Sequence, residues 1–252
     1  MTARRMAEGE VVVWAASLDV DAARLGTLSS SLSTDEIERA TRFRFARDRD
    51  RFVAGRGFLR RILADYTGDR ADGLRFSYSP YGKPRLADRQ EIQFNVSHSE
   101  NRMLVAVSAN IAVGVDVEVL NSKHADELVA ERFFSAQEVR DLRSLPPSEW
   151  SRSFLTCWTR KEAFIKARGE GLSLPLHDFD VTLAPGVSPA LVRTAWSATE
   201  PADWLLFDIS KDCAGCVAAV AVRAAHAVVS VQRYDSWAAG SEPRSLALCA
   251  PS

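Results

Sequence analysis

An apolar run with no charged residue until its end, Val11–Leu18, opens the chain. It is short and β-rich, and it reads better as a first strand than as a signal peptide. Ser33-Thr-Asp-Glu36 then sets a hydroxyl three residues before a carboxylate, the capping-box pattern, and predicts a helix to about Arg47. A second helix is expected over Asp50–Tyr66, with Phe52, Phe58, Leu59, Ile62 and Leu63 as its apolar stripe. Short strands follow at Leu74–Ser79, Gln93–Val96, Met103–Ser108 and Ile111–Val117. Pro80-Tyr-Gly-Lys-Pro84 is turn chemistry, and Ala109-Asn110 suits a tight hairpin between the last two strands.

The second half repeats this plan. Ser135-Ala-Gln-Glu138 is another capping box, Pro146 and Pro147 interrupt its helix, and a long helix from about Ser148 to Arg168 stops at Gly169 and Gly171. Strands are predicted at Phe179–Leu183, Leu191–Trp196, Trp204–Ile209, Val217–Val222 and Ala227–Val231. The expected fold class is α+β: two similar halves, each a small, mostly antiparallel sheet packed with a long helix. Residues 1–119 would form the first half, 120–240 the second, and 241–252 a loose tail.

Composition narrows the function classes. A chain of 252 residues, 46% hydrophobic, can bury a sizeable core. The formal net charge of −1 supplies no global field for nucleic acid or anionic membrane. No apolar stretch is long enough for a transmembrane helix, and a cytoplasmic location is expected. The four cysteines are too few for a disulfide scaffold; Cys213-Ala-Gly-Cys216 reads as a turn before a strand, with a redox role as the alternative. Only five of the 32 basic residues are lysines, and three of these, Lys83, Lys161 and Lys166, lie in the segments that carry candidate chemistry.

Gly114-Val-Asp-Val-Glu118 reads as the end of a strand, so Asp116 and Glu118 share a face. Trp158–Lys166 reads as a helix, so Glu162 and Lys166 share a face, with Lys161 turned ~100° away. Three carboxylates and an ammonium that converge would suit a hard cation beside a phosphate ester. The ordinary alternatives are a solvated strand end and a surface i,i+4 ion pair, although Trp158, Phe164 and Ile165 point to partial burial of that helix face. Nine arginines crowd Arg39–Arg61, read as a solvated helix face, a phosphate site or a nucleic-acid surface. Lys83 in its Gly-Pro turn, and Ser97 with His98 at a strand end, are further phosphate-binding candidates, each with an ordinary structural alternative.

Taken in order, Tyr81–Pro84 (YGKP), Phe94–Ser99 (FNVSHS), Gly114–Glu118 (GVDVE), Arg132–Ser135 (RFFS) and Trp158–Leu176 (WTRKEAFIKARGEGLSLPL) resemble the 4′-phosphopantetheinyl transferase superfamily, in its larger, surfactin-synthetase-activating branch. The resemblance implies a monomeric pseudo-dimer that moves the phosphopantetheine arm of coenzyme A onto a serine of an apo acyl or peptidyl carrier protein and releases 3′,5′-ADP. It implies Asp116, Glu118 and Glu162 as ligands of Mg²⁺ (or Mn²⁺), Glu162 as the base, and Lys166 on the α-phosphate or leaving group. It places Arg39, Arg51, Gly82, Lys83, Pro84, Ser97, His98, Lys161 and Lys166 around coenzyme A. Where some members have a lysine of the 3′-phosphate clamp, this chain has Glu36. Asn121–Ala130 and the helix after it would lie where the carrier docks. Two other readings remain: a protein that binds coenzyme A or a carrier without transfer, and a nucleic-acid module built on the arginine-rich helices.

Overall fold

The structure, a computed structural model, describes residues 3–120, 125–234 and 246–249. Strand β1 (Glu10–Ser17) leads to helices α1 (Ala22–Ser29), α2 (Thr34–Ala40) and α3 (Ala46–Thr67). The hairpin β2 (Phe76–Tyr78) and β3 (Pro84–Leu86) follows, then β4 (Ile92–Ser99), β5 (Arg102–Ala109) and β6 (Val113–Val119). Helices α4 (Glu127–Phe133), α5 (Ala136–Arg143) and α6 (Pro147–Arg168) open the second half. It ends in β7 (Phe179–Val181), β8 (Leu191–Thr194), β9 (Trp204–Asp208), β10 (Cys216–Arg223), β11 (Val228–Arg233) and β12 (Leu246–Cys249).

The class is α+β, and the two helical pairs share one plan. Both Ser33 and Ser135 close capping boxes, with Glu36 and Glu138 reaching back to the serine amides. Each short capped helix precedes a 22-residue helix that ends at a left-handed glycine, Gly68 (φ 75°) after α3 and Gly169 (φ 79°) after α6. Only glycine takes that conformation without a Cβ penalty.

The strands do not stay with their helices. A five-stranded sheet runs β12-β11-β1-β5-β4, and a three-stranded one β6-β10-β9. Strand β11, late in the chain, pairs parallel with β1, whereas β6 leaves its sequence neighbours and pairs antiparallel with β10. The expected hairpin at Ala109-Asn110 is therefore absent: β5 pairs with β4 and β1, and Asn110, at φ 58°, turns the chain out of one sheet into the other. The tight connection lies instead between β4 and β5, where Glu100 is left-handed (φ 51°). The first predicted helix also stops early, at Ala40, and Phe43 folds back onto Phe52 with ring centroids 5.2 Å apart. Of the expected tail, Leu246–Cys249 forms β12 against β11; residues 241–245 and 250–252 lie outside the described residues.

Side-chain alternation then builds four layers. One face of the large sheet, with Val12, Trp14, Phe94 and Val105, packs on Phe58, Leu59, Ile62 and Leu63 of α3. Its other face, with Val11, Val13, Leu104 and Ala106, meets Val113, Val115, Val117 and Val220 of the small sheet. The small sheet's outer face, with Val217, Ala219 and Ala221, lies on Phe164 and Ile165 of α6. The even-numbered positions of β6, Gly114, Asp116 and Glu118, therefore share the face toward α6.

Lys161 turns into the core of the second half. Its side chain is fully buried; Nζ pairs with Glu138 (2.8 Å) and donates to the carbonyls of Leu176 (2.7 Å) and Phe179 (2.5 Å). Glu138 also accepts the Val181 amide at 2.8 Å. Removing one member of such a pair strands a buried charge, so Glu138→Ala is expected to cost ~3–5 kcal/mol in chemical denaturation. The double variant Glu138→Leu/Lys161→Met should recover much of that loss.

Candidate active site

Three elements meet at the seam between the sheets. Asp116 on β6 is buried, and its Oδ1 accepts hydrogen bonds from Ser97 Oγ of β4 (2.7 Å) and Lys166 Nζ of α6 (2.5 Å). Lys166 Nζ also donates to Ser97 Oγ at 3.1 Å. Glu118, two residues on, accepts from Ser99 Oγ at 2.8 Å. Glu162, one helical turn before Lys166, is half-buried beside them. Burial first, and then the like charges of Asp116 and Glu118 against the pull of Lys166, raise its carboxyl to about 7. Asp116 and Glu118 lie on the β6 face toward α6, the helix that carries Glu162. Of the expected acids and ammonium, Asp116, Glu118, Glu162 and Lys166 are thus brought together.

Gly114 makes this approach possible. A Cβ at that position would stand 2.0 Å from the Ala163 carbonyl oxygen and 2.4 Å from the Ala167 nitrogen, so the α6 backbone lies directly on the strand. Its place inside the Gly-Val-Asp-Val-Glu run was the available signal: a glycine in a strand often marks such contact.

The other candidate residues are more dispersed. Lys83, in the turn between β2 and β3, donates from Nζ to the carbonyls of Val113 (3.2 Å) and Ala167 (3.1 Å), tying that turn to both β6 and the end of α6. Burial, with the Arg85 charge second, lowers its ammonium to about 8. Gly82 is left-handed at φ 83°, and Pro84 opens β3 opposite Tyr78. His98 takes the opposite side of β4 from Ser97 and is exposed near the strand end. Lys161 is in the interior described above, away from the carboxylates.

The arginines divide by partner. Arg51 is held by Asp19 through two hydrogen bonds of 2.7 and 3.0 Å. Arg56 and Arg60 converge on buried Glu36, at 2.6 and 2.5 Å, which explains an acid at that position: it caps α2 and anchors two guanidinium groups of α3. Arg39 is exposed, lies 5.3 Å over the Phe52 ring, and lines an open cavity of about 540 Å³ with Asp35, Glu38, Arg42 and Phe43. Cys213 and Cys216 are buried free thiols in a turn closed by the Cys216 amide on the Cys213 carbonyl (2.9 Å). Burial pushes the Cys213 thiol to about 12, far from thiolate chemistry at neutral pH.

Comparison with known sequences places this geometry. A sequence model of the 4′-phosphopantetheinyl transferase superfamily matches residues 112–221, and one of the 4′-phosphopantetheinyl transferase N-terminal region matches residues 20–110. The 4′-phosphopantetheinyl transferase HetI of Nostoc sp. is 42% identical over 216 residues, covering 84% of this chain and 87% of HetI. This chain belongs to the 4′-phosphopantetheinyl transferase superfamily. The transferase Sfp of Bacillus subtilis is a second relative, 36% identical over 155 residues, covering 61% of this chain and 67% of Sfp. The protein is accordingly an enzyme of the phosphopantetheinyl transferase type. The two matched regions meet at residues 110–112, where Asn110 turns the transferase chain from the large sheet to the small one.

The superfamily resemblance implies a divalent cation, and the seam can be tested for it. Among the described residues, no three His, Cys, Asp or Glu side chains stand as a ready-made cation cage. In this arrangement the Lys166 ammonium already neutralises Asp116. The donor chemistry nonetheless fits. Asp116 Oδ2 is buried and accepts no hydrogen bond among the described residues. Burial raises Glu162 most, and the Asp116 and Glu118 charges add a repulsion that a hard cation would relieve; all the donors are carboxylate oxygens.

Proposed function

We propose that this transferase moves 4′-phosphopantetheine from coenzyme A to a serine of an apo acyl or peptidyl carrier protein in a Mg²⁺-dependent reaction that releases 3′,5′-ADP. The observation that carries the reading is the seam itself: Ser97 and Lys166 hold Asp116, Ser99 holds Glu118, and Glu162 lies one helical turn before Lys166 on α6.

Asp116, Glu118 and Glu162 would hold the cation. Bound there, Mg²⁺ would supply charge neutralisation for the pyrophosphate and its leaving oxygen. Glu162 would take the proton of the carrier serine as its oxygen bonds to the β-phosphorus. The bond from that phosphorus to the bridging oxygen breaks, and the electron pair leaves on 3′,5′-ADP. Lys166 would move from Asp116 to the α-phosphate as charge builds on the departing group. Lysine suits this role because its ammonium can also give up a proton, which arginine effectively cannot.

The binding roles rest on placement. Lys83 and the Gly82–Pro84 turn would border the adenine and phosphates, with Ser97 and His98 near the 3′-phosphate. Arg39 lines the open cavity on α2 and would reach the outer 3′-phosphate; Arg51 would close the pocket from the start of α3. Lys161 serves the interior of the second half rather than coenzyme A. The carrier would approach α4 and the segment before it, of which residues 121–124 lie outside the described residues.

Chromatography of the nucleotide product tests this reading. With coenzyme A, an apo carrier domain and Mg²⁺, 3′,5′-ADP should accumulate in step with carrier modification. Chelation should stop it, and excess Mg²⁺ or Mn²⁺ should restore it. Undiminished product after chelation would remove the metal from the mechanism.

A further inference from the structure

Strands β4 and β6 are edge strands of different sheets, and no main-chain ladder joins them. The odd-numbered side chains of β4 join them instead. Asn95 Oδ1 accepts the Val115 amide (2.9 Å), Ser97 Oγ the Val117 amide (3.4 Å) and Ser99 Oγ the Val119 amide (3.2 Å). The three rungs keep a constant offset of 20 residues, so the two strands run side by side in the same direction. These outward amides of a buried edge need acceptors, and a face of β4 supplies them.

Two rungs do more than close an edge. A serine hydroxyl has one proton and two lone pairs. With a lone pair committed to the Val117 or Val119 amide, the proton is directed outward, and in both cases it lands on the neighbouring acid. Ser97 donates to Asp116 Oδ1 at 2.7 Å and Ser99 to Glu118 Oε2 at 2.8 Å. Repetition at every second residue sets the two carboxylates on one face, about 7 Å apart along the strand at ~3.3 Å per residue. The alternation in Phe94-Asn-Val-Ser-His-Ser99 follows directly: Phe94 enters the core against α3, while Asn95, Ser97 and Ser99 face β6.

We propose that Asn95, Ser97 and Ser99 form a register clamp across the seam, and that Ser99 is a positioning residue that aims the Glu118 carboxylate. The clamp stands on hydrogen bonds alone; its effect on a cation rests on the proposed function above.

Amide hydrogen exchange by NMR and Mn²⁺ titration of the protein without coenzyme A test the two parts separately. Ser99→Ala should speed exchange of the Val119 amide by about fivefold or more, the equivalent of one lost hydrogen bond, and leave Val115 unchanged. It should weaken Mn²⁺ binding by about tenfold, as loss of a hydrogen bond to a metal-binding carboxylate does elsewhere. Ser99→Thr, which keeps the hydroxyl, should restore both. Unchanged Val119 exchange would overturn the clamp. Faster exchange with unchanged Mn²⁺ affinity would overturn the positioning role. If the unmodified protein binds no Mn²⁺, the metal assignment and the aiming of Glu118 toward it both fall, while Val119 exchange still decides the clamp.

Discussion

Glu162→Gln is expected to lower the transfer rate by about 10²–10⁴-fold, the range for loss of a general base, and more if the cation is also lost. The amide has the shape of the acid but cannot accept the serine proton at neutral pH. The same change should make the protein more stable above pH 7. Glu162 has its folded-state carboxyl raised to about 7 from an ordinary 4.5, so the folded protein binds the proton more tightly than the unfolded chain. Stability is therefore highest below the unfolded value, falls as pH rises from 4.5 to 7, and stays reduced above that. Over that interval the loss is roughly 3 kcal/mol at ~1.4 kcal/mol per pH unit. Glutamine carries no charge, so the melting temperature of Glu162→Gln should exceed that of the unmodified protein at pH 8, and the advantage should shrink toward pH 4.5. Loss of activity together with a lower melting temperature at pH 8 would mean that Glu162 serves the fold rather than the chemistry.

Gly114→Ala should be among the most damaging single methyl additions in the chain. The new Cβ would press on the Ala163 carbonyl oxygen and the Ala167 nitrogen, which are helix backbone and cannot rotate aside. Either α6 lifts from β6 or the strand bends, at an expected cost of about 3 kcal/mol or more. Glu162 and Lys166 ride on that stretch of α6, while Asp116 is two residues from Gly114 on β6. Even the folded fraction should then lose transfer activity, because the carboxylates separate. Gly26→Ala is the matched control. It lies on α1 with nothing within 4 Å of an added Cβ, so it should be neutral or stabilise by up to ~1 kcal/mol. Equal effects from both substitutions in denaturant titration would contradict the close contact.

Local chemistry made much of this legible in the sequence. Both capping boxes, the Gly169 stop of α6 and the strands from Val217 onward follow from spacing within a few residues, and the structure has them. The shared face of Asp116 and Glu118, and that of Glu162 and Lys166, are likewise consequences of period. What spacing could not give is which strand pairs with which. The move of β6 to β10 and of β11 to β1 joins residues about a hundred or more apart in the chain, and only tertiary packing selects those partners. Asn110 looked like hairpin chemistry because a left-handed asparagine serves a hairpin and an exit from a sheet equally well. Helices α1 and α4 are not legible because, unlike the equally short α2 and α5, neither opens on a capping box. Glu36 looked like a missing phosphate-binding lysine until Arg56 and Arg60 were seen on it. The Ser97 hydroxyl, which with His98 reads from the sequence as an anion donor, is directed onto Asp116 across the seam, and Ser99, outside that reading, is directed onto Glu118.

The central claim is transfer from coenzyme A to a carrier serine by the acids at this seam. Intact-mass measurement of apo carrier domains, drawn from fatty-acid, polyketide and nonribosomal-peptide systems, tests it most directly. With coenzyme A and Mg²⁺, at least one carrier should gain the mass of a single phosphopantetheine on its serine. The gain should vanish without coenzyme A and in the folded Glu162→Gln variant. Carriers that all keep their mass with well-folded, unmodified protein, or full modification by Glu162→Gln, would contradict it.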